Sequence, residues 1–370
     1  HEYKLMGMAP YADPERADIA ADTFRNLLKL SDDKTTFVQN SEISMNYCYN
    51  VLRESFERIR FDTLAGATQL FTEEMLVDWV RGCIKKTGIS DIVAGGGVFM
   101  NVKANMLIAQ LPEVTSFYVM PSGADESLSI GACLHRYYYQ NEQTDHSESV
   151  FENLYLGGEF TKKQEERAIL KICDDNIEVA ELEHVDGVVA DLLAEGEVVA
   201  RARGKMEWGA RALGNRSILV SGHDYRVVDQ LNQAIKQRDF WMPFAPSVLE
   251  ESAHRYFSDP KNLRPYFMTH TFETNNEGRD HLSAGTHPRD HTIRAQVVTE
   301  KANPDYHGLL SSFEMKTGRG GLVNTSFNLH GEPIVHSPED AIRVLKKSGL
   351  KHLALGHFLL SKKTQSYNNS

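Results

Sequence analysis

Residues 203–248 gather basic and polar side chains at unusual density: Arg203 and Lys205, then Glu207, Arg211, Asn215, Arg216 and Ser217, then Lys236 and Arg238. Gly204, Gly209, Gly214, Pro243 and Pro246 punctuate the stretch. Arginine offers a planar fork to phosphate or carboxylate, lysine a point charge, and glycine lets the backbone approach closely. The chemistry these residues could do is anion binding, although a basic surface around a helix would have the same composition. A second polar stretch, Asn324-Thr325-Ser326-Phe327-Asn328, lies far downstream. Lys236-x-Arg238 and Ser326-x-Asn328 each project two groups in one direction if the backbone is extended. Two cations with a hydroxyl and an amide suit an adenylating site, where cations neutralise phosphate charge and neutral groups orient oxygens. Glu207, four residues before Arg211, reads as an orienting ion-pair partner rather than a general base.

Other candidates are scattered. Asp91-Ile92-Val93-Ala94 reads as a strand, Gly95-Gly96-Gly97 as a turn, and residues 98–110 as a helix opening near Asn101. Such a turn either closes tightly or rests a phosphate or ribose on its N–H groups. Asp125 follows a Gly-containing turn and precedes a helix of small residues, as an N-cap would, or as a carboxylate aimed into a cleft. His287 and His291 make an HxxxH by count, but that spacing shares a face only on a helix. A strand at 293–298 leaves no room for one, so the histidines of 254–291 read as solvated or substrate-facing loop residues. Arg294 and Gln296 would share one face of that strand.

The elements that position these residues follow from periodicity. Helices are expected at 14–31, 63–88, 161–175, 184–194, 225–237 and 337–346. Strands are expected at 117–120, 177–181, 197–201, 244–249, 321–325, 352–355 and 358–360. A polar linker at 140–150 divides two α/β domains, 1–145 and 151–365. The net charge of −11 argues against a general nucleic-acid binder. No apolar run approaches the ~20 residues of a membrane span. Cys48, Cys83, Cys133 and Cys173 are far apart and form no CxxC, which points to buried thiols in a reducing, cytoplasmic compartment. The chain opens on HEYKLMGMAPYAD without an initiator Met and reads as the middle of a longer protein.

The motifs GKMEWGARALGNRSIL, IKQRDFWMPFAPSVL, TIRAQVV and LVNTSFNLHGEPIVHSPEDAI resemble the O-carbamoyltransferases, the family of the nodulation, cephem and tobramycin carbamoyltransferases. The resemblance runs along the whole chain and is to the C-terminal portion of that family. It implies that residues from about 155 to 365 are similar to the YrdC fold, a twisted α/β sheet with a deep cleft. There Lys236, Arg238, Ser326 and Asn328 match the set that holds nucleotide and phosphates, with Asn324 beside them. The first part looks like the second half of an ASKHA (actin-like) domain. In it AGGGVFMN, with Gly95, Gly96, Gly97 and Asn101, matches the nucleotide-contacting turn. SGADESLSIGA matches the segment whose aspartate binds iron, which maps that role onto Asp125. The family's other Fe2+ ligands, an HxxxH pair, belong to a region this chain lacks.

The implied reaction joins ATP, carrying Mg2+, and carbamoyl phosphate to give carbamoyladenylate, whose carbamoyl group passes to a small-molecule hydroxyl acceptor. Arg211, Arg216, Lys236 and Arg238 would hold the phosphates, with Arg294 a further candidate. Two alternatives stand beside it: a threonylcarbamoyladenylate-forming enzyme of the YrdC type, and a non-catalytic nucleotide- or RNA-binding module.

Overall fold

In the computed structural model the chain is described over residues 2–141, 151, 153–172, 174–239 and 241–363. Its first part comprises α1 (Glu2–Met8), α2 (Pro14–Arg25), β1 (Leu28–Leu30), β2 (Phe37–Gln39), α3 (Tyr49–Ser55), α4 (Phe61–Thr87), β3 (Asp91–Ala94), α5 (Val102–Gln110), β4 (Ser116–Val119) and α6 (Ser127–Asn141). Asp13 caps α2 by accepting from the Arg16 N–H, and Pro14 sits in its first turn. The helix ends six residues short of the expected boundary, because Leu28–Leu30 pairs antiparallel with β2 instead. Gly66 lets the segment before α2 press onto α4: a Cβ there would lie 2.4 Å from the Ala12 Cβ. Strands β3 and β4 pair in parallel across the α5 crossover, over a core of Leu76, Val80, Phe99, Ile108 and Phe117.

The second part comprises α7 (Lys162–Ile169), β5 (Ile177–Glu181), α8 (Val185–Ala194), β6 (Val199–Ala202), β7 (Arg216–Val220), α9 (Val227–Leu231), β8 (Ala245–Leu249), β9 (Phe272–Glu273), α10 (Asn276–His281), β10 (Thr292–Ile293), β11 (Gln296–Val298), α11 (Pro304–Thr317), β12 (Gly321–Ser326), α12 (Pro338–Lys347), β13 (His352–Leu355) and β14 (Phe358–Lys362). Eight of these strands form one mixed sheet in the order β11-β8-β12-β7-β6-β13-β14-β5. Alternation along β7 shows how both faces are covered. Ile218 and Val220 join a core with Leu231, Phe327 and Leu345, whereas Leu219 joins Val189, Leu193, Leu309 and Phe313 on the other side. Helices α9 and α12 thus back one face, and α8 and α11 the other.

Several expectations are corrected. Neither β7 nor α11 was anticipated. The 161–175 helix ends at Ile169. The single strand 293–298 is two strands, with Arg294 in the break, because β10 pairs with β9 while β11 pairs with β8. Cys133 is exposed rather than buried. The linker residues 142–150 and Cys173 lie outside the described residues. No helix of the described residues is long and apolar enough to cross a membrane.

Candidate functional site

A cavity of ≈ 600 Å³ lies where α1 and α5 meet the loops at one end of the large sheet. Its wall brings together Arg211, Lys236, Arg238, Arg294, Ser326 and Asn328, from four separate segments of the sequence. Local structure explains how each arrives. Helix α9 passes into a π-helical turn, Asn232–Lys236, closed by Gln237 in the left-handed region at φ 48°. Such turns are rare in helices and recur at functional sites. Lys236, the last residue of that turn, is only 3 % exposed. Its Nζ donates to the Ser326 carbonyl, to Ser326 Oγ at 3.1 Å and to Asn328 Oδ1 at 2.8 Å. Phe327, fully buried between them, anchors the segment, so Ser326 and Asn328 share one side of it.

Electrostatics set this cavity apart. Burial, and then the neighbouring Arg238, push the Lys236 ammonium down to about 7. Burial, and then Arg211, push the Arg238 guanidinium down to about 10. Arg238 donates to Thr325 Oγ1 at 3.1 Å and lies 4.9 Å over the Phe244 ring. Arg294 is likewise held well below the usual guanidinium range, by burial and then by Arg211 and Arg238. The Nε atoms of Arg211 and Arg294 are buried without a hydrogen-bond partner. What perturbs these four cations is burial, one another and Tyr3; no carboxylate is among the causes. The acids on the cavity wall are engaged elsewhere, Asp239 with Lys4 at 2.8 Å and Glu332 with Arg343 at 2.8 Å. Crowded, desolvated cations without counter-charge are relieved by an anion of several charges. The guanidinium forks and the ammonium of this wall could hold a triphosphate or an acyl phosphate, with Ser326 and Asn328 offering oxygens and an amide.

Other predicted residues stand outside the cavity wall. Glu207 makes no ion pair with Arg211. Its Oε1 accepts from the N–H groups of Leu213 at 2.7 Å, Asn215 at 3.2 Å and Arg216 at 3.1 Å, which ties down the loop before β7. Arg216 is fully buried and donates to the carbonyls of Gly204 at 3.0 Å and Asn215 at 2.8 Å, stacked 4.2 Å over Phe160. It braces the loop that presents Arg211. Asn324 lies beneath the same loop, donating to the Ala212 carbonyl at 3.1 Å and to Ser247 Oγ at 2.9 Å. Gly95, Gly96 and Gly97 form an exposed turn away from this cavity, with Gly96 at φ 103°. Asn101 caps α5 through the Ala104 N–H and exchanges hydrogen bonds with Gln69 at 3.0 and 2.9 Å. Asp125 is exposed in the turn before α6. Among the described residues no group of three or more His, Cys, Asp or Glu could hold a metal ion, so the residues present do not fit an iron centre.

Two basic wall residues, Lys4 and Lys103, were not singled out from the sequence, whereas His287 was read only as a loop histidine. Lys4 and Lys103 come from α1 and α5. His287 faces the cavity from a turn, not a helix, and its Nε2 is 2.9 Å from the Gly7 carbonyl. Its HxxxH partner His291 is exposed.

Comparison with known proteins gives this geometry a context. Family models described as "Carbamoyltransferase N-terminus" and "Carbamoyltransferase C-terminus" match residues 1–134 and 190–362. The resemblance is therefore not confined to the C-terminal portion of the family. The nodulation protein NolO of Bradyrhizobium diazoefficiens is 30 % identical over 99 % of this chain and 66 % of its own. A 3'-hydroxymethylcephem-O-carbamoyltransferase of Streptomyces clavuligerus is 30 % identical over 95 % of this chain and 63 % of its own. An uncharacterised Synechocystis protein is 32 % identical over 98 % of this chain and 64 % of its own. The chain thus spans about two thirds of the length of such relatives. A structural likeness to HypF in its phosphate- and nucleotide-bound form has a TM-score of 0.33 and 18 % identity, over 52 % of this chain and 23 % of that one, and carries no argument. On both family models together, which take in most of its length, the chain belongs to the carbamoyltransferase family.

Proposed function

We propose that the large-sheet part of this chain activates a carbamoyl group, and that the four-cation cavity is where it does so. The supporting observation is the cluster of Arg211, Lys236, Arg238 and Arg294, which has no carboxylate partner among the described residues, in a chain of a carbamoyltransferase family. Carbamoyl phosphate gives its phosphoryl group to water, and the carbamate oxygen left behind attacks the α-phosphorus of ATP. The new P–O bond yields carbamoyladenylate, pyrophosphate departs, and one inorganic phosphate remains. Lys236 and the three arginines hold the phosphoryl oxygens in line and spread the developing charge. Ser326 and Asn328 orient the nucleotide. Mg2+ screens the phosphate oxygens when it arrives with ATP. Transfer to a hydroxyl acceptor, the reaction named for the cephem relatives, is assigned to the whole protein.

In this reading residues 151–365 are the YrdC-like activating domain and residues 1–145 belong to the ASKHA-like transfer domain. Gly95–Gly97 and Asp125 fall in that transfer part, and no iron-dependent step is assigned to Asp125. The test is pyrophosphate release by the chain with Mg-ATP. Release that depends on carbamoyl phosphate supports the reading. Release that depends instead on bicarbonate plus threonine replaces it with threonylcarbamoyladenylate formation.

A further inference from the structure

Lys103, on α5, lies on the wall of the cation cavity and also on that of a second cavity, ≈ 630 Å³, bounded by Gln69, Glu73, Met106 and Arg279. Its Nζ is ion-paired with Asp290 and donates to Thr292 Oγ1 at 2.7 Å. Asp290 is held independently of that lysine. Its Oδ1 accepts from the Thr292 N–H at 3.0 Å and the Thr292 hydroxyl at 2.9 Å, and His287 Nδ1 is 3.4 Å away. Burial opposes the Asp290 charge, yet Lys103, then His287 and the Thr292 N–H, hold its carboxyl below the usual carboxylate range.

The two lysines on the cation cavity that are paired with an acid differ in where that acid sits. Asp239, the partner of Lys4, lines the same cavity, so an anion reaching Lys4 also meets a carboxylate. Asp290 lines only the second cavity. Lys103 can therefore turn towards an anion without drawing its carboxylate along, through the rotatable bonds of a four-carbon stem. Asp290 is not orphaned when it leaves, because Thr292 continues to donate to it.

We propose that Lys103 exchanges Asp290 for a bound polyphosphate, acting as a fifth, releasable cation of the cavity. The inference rests on the anion reading of that cavity. It assigns Asp290 the role of a competitor that holds the lysine in reserve.

The test titrates inorganic tripolyphosphate calorimetrically into the wild-type chain, K103M and D290N, with thermal unfolding as the check on folding. Met keeps the lysine stem, and Asn keeps an acceptor for Thr292. Both substitutions abolish the same ion pair, but exchange predicts opposite signs. K103M weakens binding on the order of tenfold, one charge-assisted hydrogen bond lost. D290N tightens it several-fold, because the lysine no longer has to leave a partner. A pair that merely supports the fold predicts weakening in both. Tripolyphosphate binding by wild type that D290N weakens or leaves unchanged overturns the exchange alone. No binding by folded wild type overturns the cavity reading and the exchange with it.

Discussion

Lys236 is where the anion reading makes its sharpest quantitative statement. An ordinary lysine titrates near 10.4, and in the fold Lys236 is pushed down to about 7, first by burial and then by Arg238. That difference corresponds to about 4–5 kcal/mol between charged and neutral forms. Because the folded value lies below the unfolded one, the unfolded chain binds the extra proton between about pH 7 and 10. The native state therefore gains stability as pH rises through that window, whereas below pH 7 the cost of burying the cation stands in full. The unfolding free energy of wild type should rise relative to K236M by roughly 1.4 kcal/mol per pH unit from pH 7 to 9. Binding should run the opposite way. A polyphosphate favours the ammonium, so at pH 8 complex formation should take up roughly 0.9 proton. Affinity should fall by up to about tenfold per pH unit above 7. Titration of a non-hydrolysable ATP analogue with magnesium, in two buffers of different ionisation enthalpy, measures that proton directly. K236M should bind weakly and take up none. Wild-type binding without proton uptake at pH 8 would refute the placement of Lys236 against the bound phosphates.

Other residues carry simpler expectations. E207Q replaces a carboxylate that holds three backbone N–H groups, and should lower stability by about 1–3 kcal/mol while leaving the proton uptake of binding unchanged; chemical denaturation and calorimetry check the two halves. G214A places a Cβ 2.3 Å from the Tyr306 ring at a φ of 112°, and should lower stability by at least about 3 kcal/mol, read from the unfolding midpoint. D125A removes a carboxylate remote from the cation wall, and should leave pyrophosphate formation at the wild-type rate.

Much of the cation wall was legible because its spacing is short-range. Lys236-x-Arg238 and Ser326-x-Asn328 need only one intervening residue turned away, and Phe327 supplies that by burying itself. The route was not the expected one for Lys236, which reaches the cavity from a π-helical turn followed by a left-handed residue rather than from extended chain. The pairing of Glu207 with Arg211 was misread for a related reason. Four-residue spacing implies an ion pair only on a helix, and residues 204–215 form no helix. Arg216 and Asn324 look like ligands in a polar stretch, but packing turns them onto backbone carbonyls, which no pattern of types records. Lys4 and Lys103 were illegible because their role depends on where α1 and α5 dock. Helix α11 is different: it was missed although its signals are local, with Asn303 as cap, Tyr306, Leu309, Leu310 and Phe313 at helical spacing, and Gly318 at its end.

The proposed reaction moves a carbamate oxygen onto the α-phosphorus of ATP at the four-cation wall. Its most direct test is a rapid quench of the folded chain with Mg-ATP and carbamoyl phosphate labelled with 18O in its carbamoyl oxygens, analysed by mass spectrometry. The expected result is one pyrophosphate and one phosphate per turnover, and 18O in the AMP moiety, all lost in K236M. Pyrophosphate accompanied by unlabelled AMP, or no pyrophosphate from folded chain that binds the ATP analogue, would contradict it.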